Sequence, residues 1–289
     1  MRARRLATAL TAVAALTLAA CAGGDDDAGS DQTAGSEASE EGGTADGTLR
    51  IGIKFDQPGL GYQEGSEYTG FDVAVATYVA EQLGYSADQI EWVQAPSQQR
   101  ETMLQNGQVD MIFATYSITD KRKETVAFAG PYFVAGQDLL VAADDDSISG
   151  PEDLEGKNLC SVTGSTSAQR IKDEYAAGTQ LLEQPGYAEC VTALTSGTVD
   201  AVTTDDIILA GLASIPANEG KVKVVGNPFS EERYGVGLPQ DNDVCEDVNA
   251  AITQMIEDGS WQEALDEAVG PSGYEPNDDL NPPTVDACA

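Results

Sequence analysis

Residues 100–117 read RETMLQNGQVDMIFATYS, and residues 187–206 read YAECVTALTSGTVDAVTTDD. Each passes from a helix-forming segment through a glycine into a short apolar run, and Gly107-Gln-Val-Asp110 echoes Gly197-Thr-Val-Asp200. A glycine ends a helix by taking the left-handed conformation, so the order is helix, stop, strand, written twice. The repetition predicts an α/β fold of two similar halves. Parallel sheets gather ligands at the carboxyl ends of their strands. Thr115–Thr119 and Thr203–Asp206, which follow the two echoes, are therefore where a binding site belongs.

Working outward, TLRIGIKF (48–55) predicts a strand, and GFDVAVATYVAEQLGY (70–85) predicts a helix stopped by Gly84. Its buried face is expected to carry Phe71, Val75, Tyr78, Val79 and either Gln82 or Leu83. IEWVQA (90–95) and VDMIFA (109–114) read as strands, with Ser97 as N-cap of the helix between them. In the second half KNLCSV (157–162) is a strand, and STSAQRIKDEY (165–175) is a helix beginning at small hydroxyls. GQDLLVAADD (136–145) leaves the first half, PFSEERYGVGLP (228–239) returns to it, and 248–270 has helical periodicity. Two crossing segments make a hinge. The expected division is 48–140 with 232–289 as lobe 1 and 141–231 as lobe 2.

The two ends bound the setting. Residues 1–20 open with MRARR, continue as an Ala, Leu, Thr and Val run, and meet Cys21 after small residues, the pattern of a secretory signal. Residues 22–47 hold eight acids and no aromatic, Leu, Ile or Val. Such a stretch cannot bury enough apolar surface to fold and reads as a flexible acidic tether. Four further cysteines, Cys160, Cys190, Cys245 and Cys288, imply two disulfides in an exported chain, with three possible pairings. Cys160 with Cys190 and Cys245 with Cys288 is the favoured one. Their spacings fit no zinc motif.

Composition excludes several classes of function. There is no histidine, which removes Ser-His and Cys-His nucleophiles, histidine bases and histidine metal sites. The formal net charge is -34, from 15 Lys and Arg against 49 Asp and Glu, so a basic stripe for nucleic acid is lacking. Between Lys54 and Lys157 the only bases are Arg100, Lys121, Arg122 and Lys123. Their scarcity makes their positions informative.

The segments GFDVAVATYVAEQLG, QNGQVDMIFATYSITDKRKETVAFAGPYF, SVTGSTSAQRI, SGTVDAVTTDD and DGSWQEALDEAVG, in that order, resemble the extracellular solute-binding proteins of the amino-acid class that feed ABC importers. Among them the chain is most similar to glutamate-binding members. It departs from the family at Ala74, where an acid often follows GFDV. The ending LAAC resembles a lipobox, which makes Cys21 a lipid-bearing residue anchored to the outer face of the cytoplasmic membrane.

The resemblance implies a two-lobed, periplasmic-binding-protein-like fold (type II) and a monomer that closes on an amino acid without cofactor or metal and presents it to a membrane permease. It assigns Arg122, with Ser117 and Thr115 beside it, to the ligand's α-carboxylate. It assigns Asp205, with Asp206 as near rival, to the α-ammonium, and Gly164, Ser165 and Thr166 to the carboxylate from the second lobe. Lys54 and Arg100, with Ser97, fall where such proteins read the side chain. Two cations there imply an anionic ligand, glutamate before aspartate or glutamine. A ligand sensor and a dehydratase-like enzyme on the same fold are the alternatives. Lys121 and Lys123 are expected in solvent.

Overall fold

The structure, a computed structural model, describes residues 47–175 and 178–288. The expected signal, the lipid-bearing Cys21 and the tether up to residue 46 lie outside the described residues. The first half runs β1 (Leu49–Ile53), β2 (Asp56–Gln57), β3 (Gly61–Glu64), β4 (Glu67–Thr69), α1 (Phe71–Gln82), β5 (Ile90–Gln94), α2 (Arg100–Gln105), β6 (Met111–Ile112), α3 (Asp120–Lys123) and β7 (Ala127–Ala135). The second runs β8 (Gln137–Ala142), β9 (Asn158–Val162), α4 (Thr166–Arg170), β10 (Gln180–Gln184), α5 (Tyr187–Thr195), β11 (Ala201–Asp205), α6 (Asp206–Ser214) and β12 (Val222–Val224). The chain then returns through β13 (Glu232–Leu238), α7 (Cys245–Glu257) and α8 (Ser260–Val269).

Two five-stranded sheets result, ordered β5-β1-β6-β13-β7 and β10-β9-β11-β8-β12, with β2-β3-β4 as a small separate sheet. In each large sheet three parallel strands come first and a crossing strand, β13 or β8, lies antiparallel in fourth place. The echo has a physical cause. Gly107 (φ +62) and Gly197 (φ +74) both turn left-handed to end a helix. Asp110 then accepts from the Arg50 N–H at 2.8 Å, and Asp200 accepts from the Asn158 N–H at 2.7 Å. The same aspartate thus fixes where the central parallel strand of each sheet begins.

Several expectations change in detail. β8 pairs with β11 and β12 from Gln137 onward, so the first sheet gives way to the second at Gly136, not at residue 140. Ser97 caps nothing: it sits in a turn, and α2 starts at Arg100 behind Gln99 with no side-chain cap. The expected strand 109–114 pairs only through Met111 and Ile112. On α1, Phe71, Val75 and Val79 are buried, Tyr78 and Leu83 are half-buried, and Gln82 faces solvent. The periodic stretch 248–270 is two helices broken at Gly259 (φ +88). Trp261 of α8 packs edge-on against Phe71 at 5.6 Å and donates its indole N–H to the Tyr132 carbonyl, which ties α8 to α1 and β7.

Cys160 of β9 is bonded to Cys190 of α5, and Cys245 of α7 to Cys288. The first closes a loop with a sequence separation of 30, which in the chain-entropy model stabilises by about 3–4 kcal/mol. Replacing both Cys160 and Cys190 with alanine is expected to lower unfolding free energy by about 2–5 kcal/mol in urea titrations. A change below about 1 kcal/mol would mean that the second sheet holds α5 without the bond.

Candidate functional site

The ends of the two echoes face one another across the cleft. The first half contributes Gln57, Ser97, Arg100, Thr115, Ser117 and Arg122; the second contributes Ser165, Thr166, Ser167, Tyr187, Thr204, Asp205 and Ile208. Together they line a nearly closed space of about 10 Å³ in which Ile208 is the one aliphatic wall residue. The Ser117 and Thr166 hydroxyls lie 3.3 Å apart, so the halves meet over it. A larger groove between α1 and α8, which includes Ala74, carries Glu81, Glu263 and Glu267 but neither Lys nor Arg. It offers nothing to hold an acid.

Thr115 is the one non-glycine residue at positive φ (47°) among the described residues. Such a conformation costs on the order of 1–3 kcal/mol and persists here because Asp72 holds it. That carboxylate is fully buried and accepts from the Thr115 N–H at 3.0 Å and the Tyr132 hydroxyl at 2.7 Å. The GFDV aspartate is therefore a support beneath the site, and burial pushes its carboxyl up to about 6.

Arg122 reaches both halves. Nη1 donates to the Ser117 carbonyl at 2.7 Å, Nη2 donates to the Gly164 carbonyl at 3.2 Å, and Nε pairs with Glu101 at 3.3 Å. With five donors on a guanidinium, one N–H on each Nη is left for a ligand. Arg100 differs. It is buried, donates only Nε to the Ala95 carbonyl at 3.4 Å, and has no acid within ion-pair distance among the described residues. Its guanidinium lies 5.0 Å from the centre of the Tyr116 ring, and that of Arg122 lies 4.8 Å from it. Burial, with Arg122 adding to it, pulls the Arg100 pKa down. Such a cation is a stored demand for an anion.

Opposite lies Asp205, at the end of β11. It accepts from the Tyr234 hydroxyl at 2.6 Å and from Ser167 at 3.4 Å. Burial pushes its carboxyl up, and the nearby Glu232 adds to the effect. Asp206 faces elsewhere: its carboxylate accepts from the N–H groups of Gly136 and Ile207 and lines a separate hollow with Tyr274. Of the two acids, Asp205 lines the cavity and Asp206 does not.

Eight of the ten expected ligand residues converge on the cavity. Gly164 lies at its mouth, where it meets Arg122 through its carbonyl. Lys54 does not reach the cavity: it lines a neighbouring chamber of about 500 Å³ with Asp56, Gln98 and Glu189. Gln57, Ser167, Tyr187 and Ile208 were not foreseen, and Thr204 falls within the expected strand end 203–206 without having been singled out. The offset that carries Gly107 to Gly197 also carries Ser97 to Tyr187 and Thr115 to Asp205, a signal that points to Tyr187. No cluster of acids or cysteines among the described residues suits a metal ion.

The pattern of bacterial extracellular solute-binding proteins, family 3, matches residues 49–271, which span both sheets and every wall of the cavity. The chain belongs to that family. Its curated relatives include the glutamate-binding protein GluB of Corynebacterium efficiens, 46% identical over 91% of this chain and 90% of the relative. The glutamine-binding protein GlnH of Bacillus subtilis is 37% identical over 74% of this chain and 78% of its own. Among solved structures, an ancestral arginine-binding protein bound to glutamine superposes with a TM-score of 0.71 at 35% identity, covering 78% of this chain and 99% of that one. Membership makes the chain an extracellular solute-binding protein rather than an enzyme, with the two-lobed fold of that class. No helix among the described residues is long and apolar enough to cross a membrane.

Proposed function

We propose that the chain captures L-glutamate between its lobes and hands it to an ABC permease, held beside the membrane by a lipid on Cys21. The observation that carries the reading is Arg100, a buried cation on the cavity wall with no acid within ion-pair distance among the described residues. In this reading Arg122, Ser117 and Thr115, with Ser165 and Thr166 from the second lobe, hold the α-carboxylate. Asp205 holds the α-ammonium, and Arg100 with Ser97 takes the distal carboxylate. Because the ligand touches both lobes, it stabilises the closed arrangement over the open one. Charge-assisted hydrogen bonds contribute roughly 1.5–3 kcal/mol each, so three such contacts accommodate micromolar binding at about -8 kcal/mol after ordering costs. The names of the GluB relatives support the same ligand.

Titration calorimetry with glutamate, aspartate, glutamine and arginine tests the assignment. Glutamate is expected to bind tightest and to be recovered chemically unaltered. Tighter binding of arginine, or release of a converted product, would overturn it. A mass increase consistent with acylation at Cys21 in the membrane fraction tests the anchor, and an unmodified Cys21 there would remove it.

A further inference from the structure

Lys54 is 3% exposed, yet the chamber it lines shares no residue with the ligand cavity. Its ammonium lies 3.5 Å from Asp56 and 5.9 Å from the centre of the Tyr187 ring. Asp56 in turn reaches across the cleft, where its carboxylate accepts from the Tyr187 N–H at 3.3 Å. Tyr187 is the first residue of α5, a nine-residue helix whose N-cap is Gly186, so its own lobe supplies no capping side chain. A carboxylate at that position satisfies an orphan N–H and complements the helix dipole. The approach is close: a Cβ on Gly186 would stand 2.6 Å from the Asp56 oxygen and 2.8 Å from that of Glu189.

We propose that Lys54 and Asp56 form a cross-cleft latch: Lys54 positions Asp56, which caps α5 of the opposite lobe and slows ligand escape without touching the ligand. The two latch residues belong to the first lobe, so their ion pair survives opening. What opening breaks is the bond from the Tyr187 N–H to Asp56 and the contact of Lys54 with the Tyr187 ring. Tyr187 is itself a cavity wall, and its hydroxyl accepts from Thr204 at 2.6 Å, one residue before Asp205. Closing the latch therefore also seats the wall beside the α-ammonium site. Lys54 is a positioning residue, and Arg100 alone is left to read the distal charge.

The inference rests on the glutamate reading, and the tests separate the two. Asp56→Ala is expected to raise the dissociation rates of glutamate and glutamine by the same factor, roughly 3- to 30-fold, the range of a lost helix cap. Association should barely change in stopped-flow fluorescence. Lys54→Met should act in the same direction on both ligands, and Lys54→Arg should restore most of the effect. A Lys54→Met variant that weakens glutamate but spares glutamine would overturn the latch, since Lys54 would then touch the distal carboxylate. Unchanged dissociation in Asp56→Ala would overturn it as well. If the wild-type protein bound neither amino acid, the glutamate reading would fail. The latch would then be judged by spin-label distances between the lobes, expected to lengthen in Asp56→Ala, with an unchanged distribution counting against it.

Discussion

Replacing Arg100 with methionine is expected to weaken glutamate binding roughly ten- to a hundredfold, the worth of one charge-assisted contact, while leaving the unliganded protein as stable as before or more so. That sign is unusual for a buried position. It follows because the guanidinium is buried with no acid within ion-pair distance among the described residues, beside a second cation in Arg122, and makes one long hydrogen bond through Nε. Removing an unpaired buried charge relieves a desolvation penalty of several kcal/mol, and the methionine stem keeps much of the volume. The contact with Tyr116 offsets part of the penalty, which is why the expected gain in stability is small. Calorimetry and thermal melts with and without glutamate read both effects. Equal losses for glutamate and glutamine would show that Arg100 does not read the distal carboxylate. A ligand-free melting temperature lowered by many degrees would show that the guanidinium is structural.

Asp205→Asn is expected to reduce affinity on the order of a hundredfold or more, because truncating one side of a buried charge pair leaves the ligand's ammonium unanswered. It should also flatten a pH dependence. The folded protein holds the Asp205 proton to higher pH than the unfolded chain does, since burial and Glu232 push the carboxyl up. Asp72 and Asp206, pushed up to about 6 by burial, act in the same sense. A group that binds its proton more tightly when folded makes stability fall as pH rises from the unfolded value, about 3.9 for aspartate, to the folded one. Unliganded stability should therefore decline upward through that window. Glutamate affinity should climb over the same range as the carboxylate needed by the ammonium forms, with protons released on binding. Calorimetry in buffers of different ionisation enthalpy measures that release. A wild-type affinity constant between pH 5 and 8, or an Asp205→Asn variant with the same slope, would contradict the assignment.

The fold was legible because its signal was repeated. Helix, left-handed glycine and strand occur twice at one offset, and the aspartate closing each echo fixes the start of the middle one of the three parallel strands in each sheet. Thr115, Ser117 and Asp205 were legible for a related reason, since they stand at the ends that the topology brings face to face, whereas Arg100 and Arg122 were singled out by the family resemblance. Ser97 lines the cavity but is not the cap that the sequence suggested: the turn after Pro96 delays α2 to Arg100 and turns the serine toward the cleft. Lys54 shows the limit of such reading. Its nearness in sequence to β1 does not reveal that Asp56, two residues on, holds its ammonium in a separate chamber. Tyr234, whose hydroxyl holds Asp205, comes from the returning strand, and no local pattern announces that meeting.

The helix α4 joins the ligand loop to the crossing strands. Ser165 caps its start, where Thr166 and Ser167 also face the cavity. At its other end Arg170 donates to Gln137 of β8 at 3.1 Å and to Glu232 of β13 at 3.0 Å. Gln137 donates back to the Ser167 carbonyl at 3.3 Å. The element is a short lever with its load at the serines and its fulcrum on both strands between the lobes. If the loop takes the ligand as proposed, a pull on it would reach those strands through Arg170 instead of being absorbed by slack in the chain.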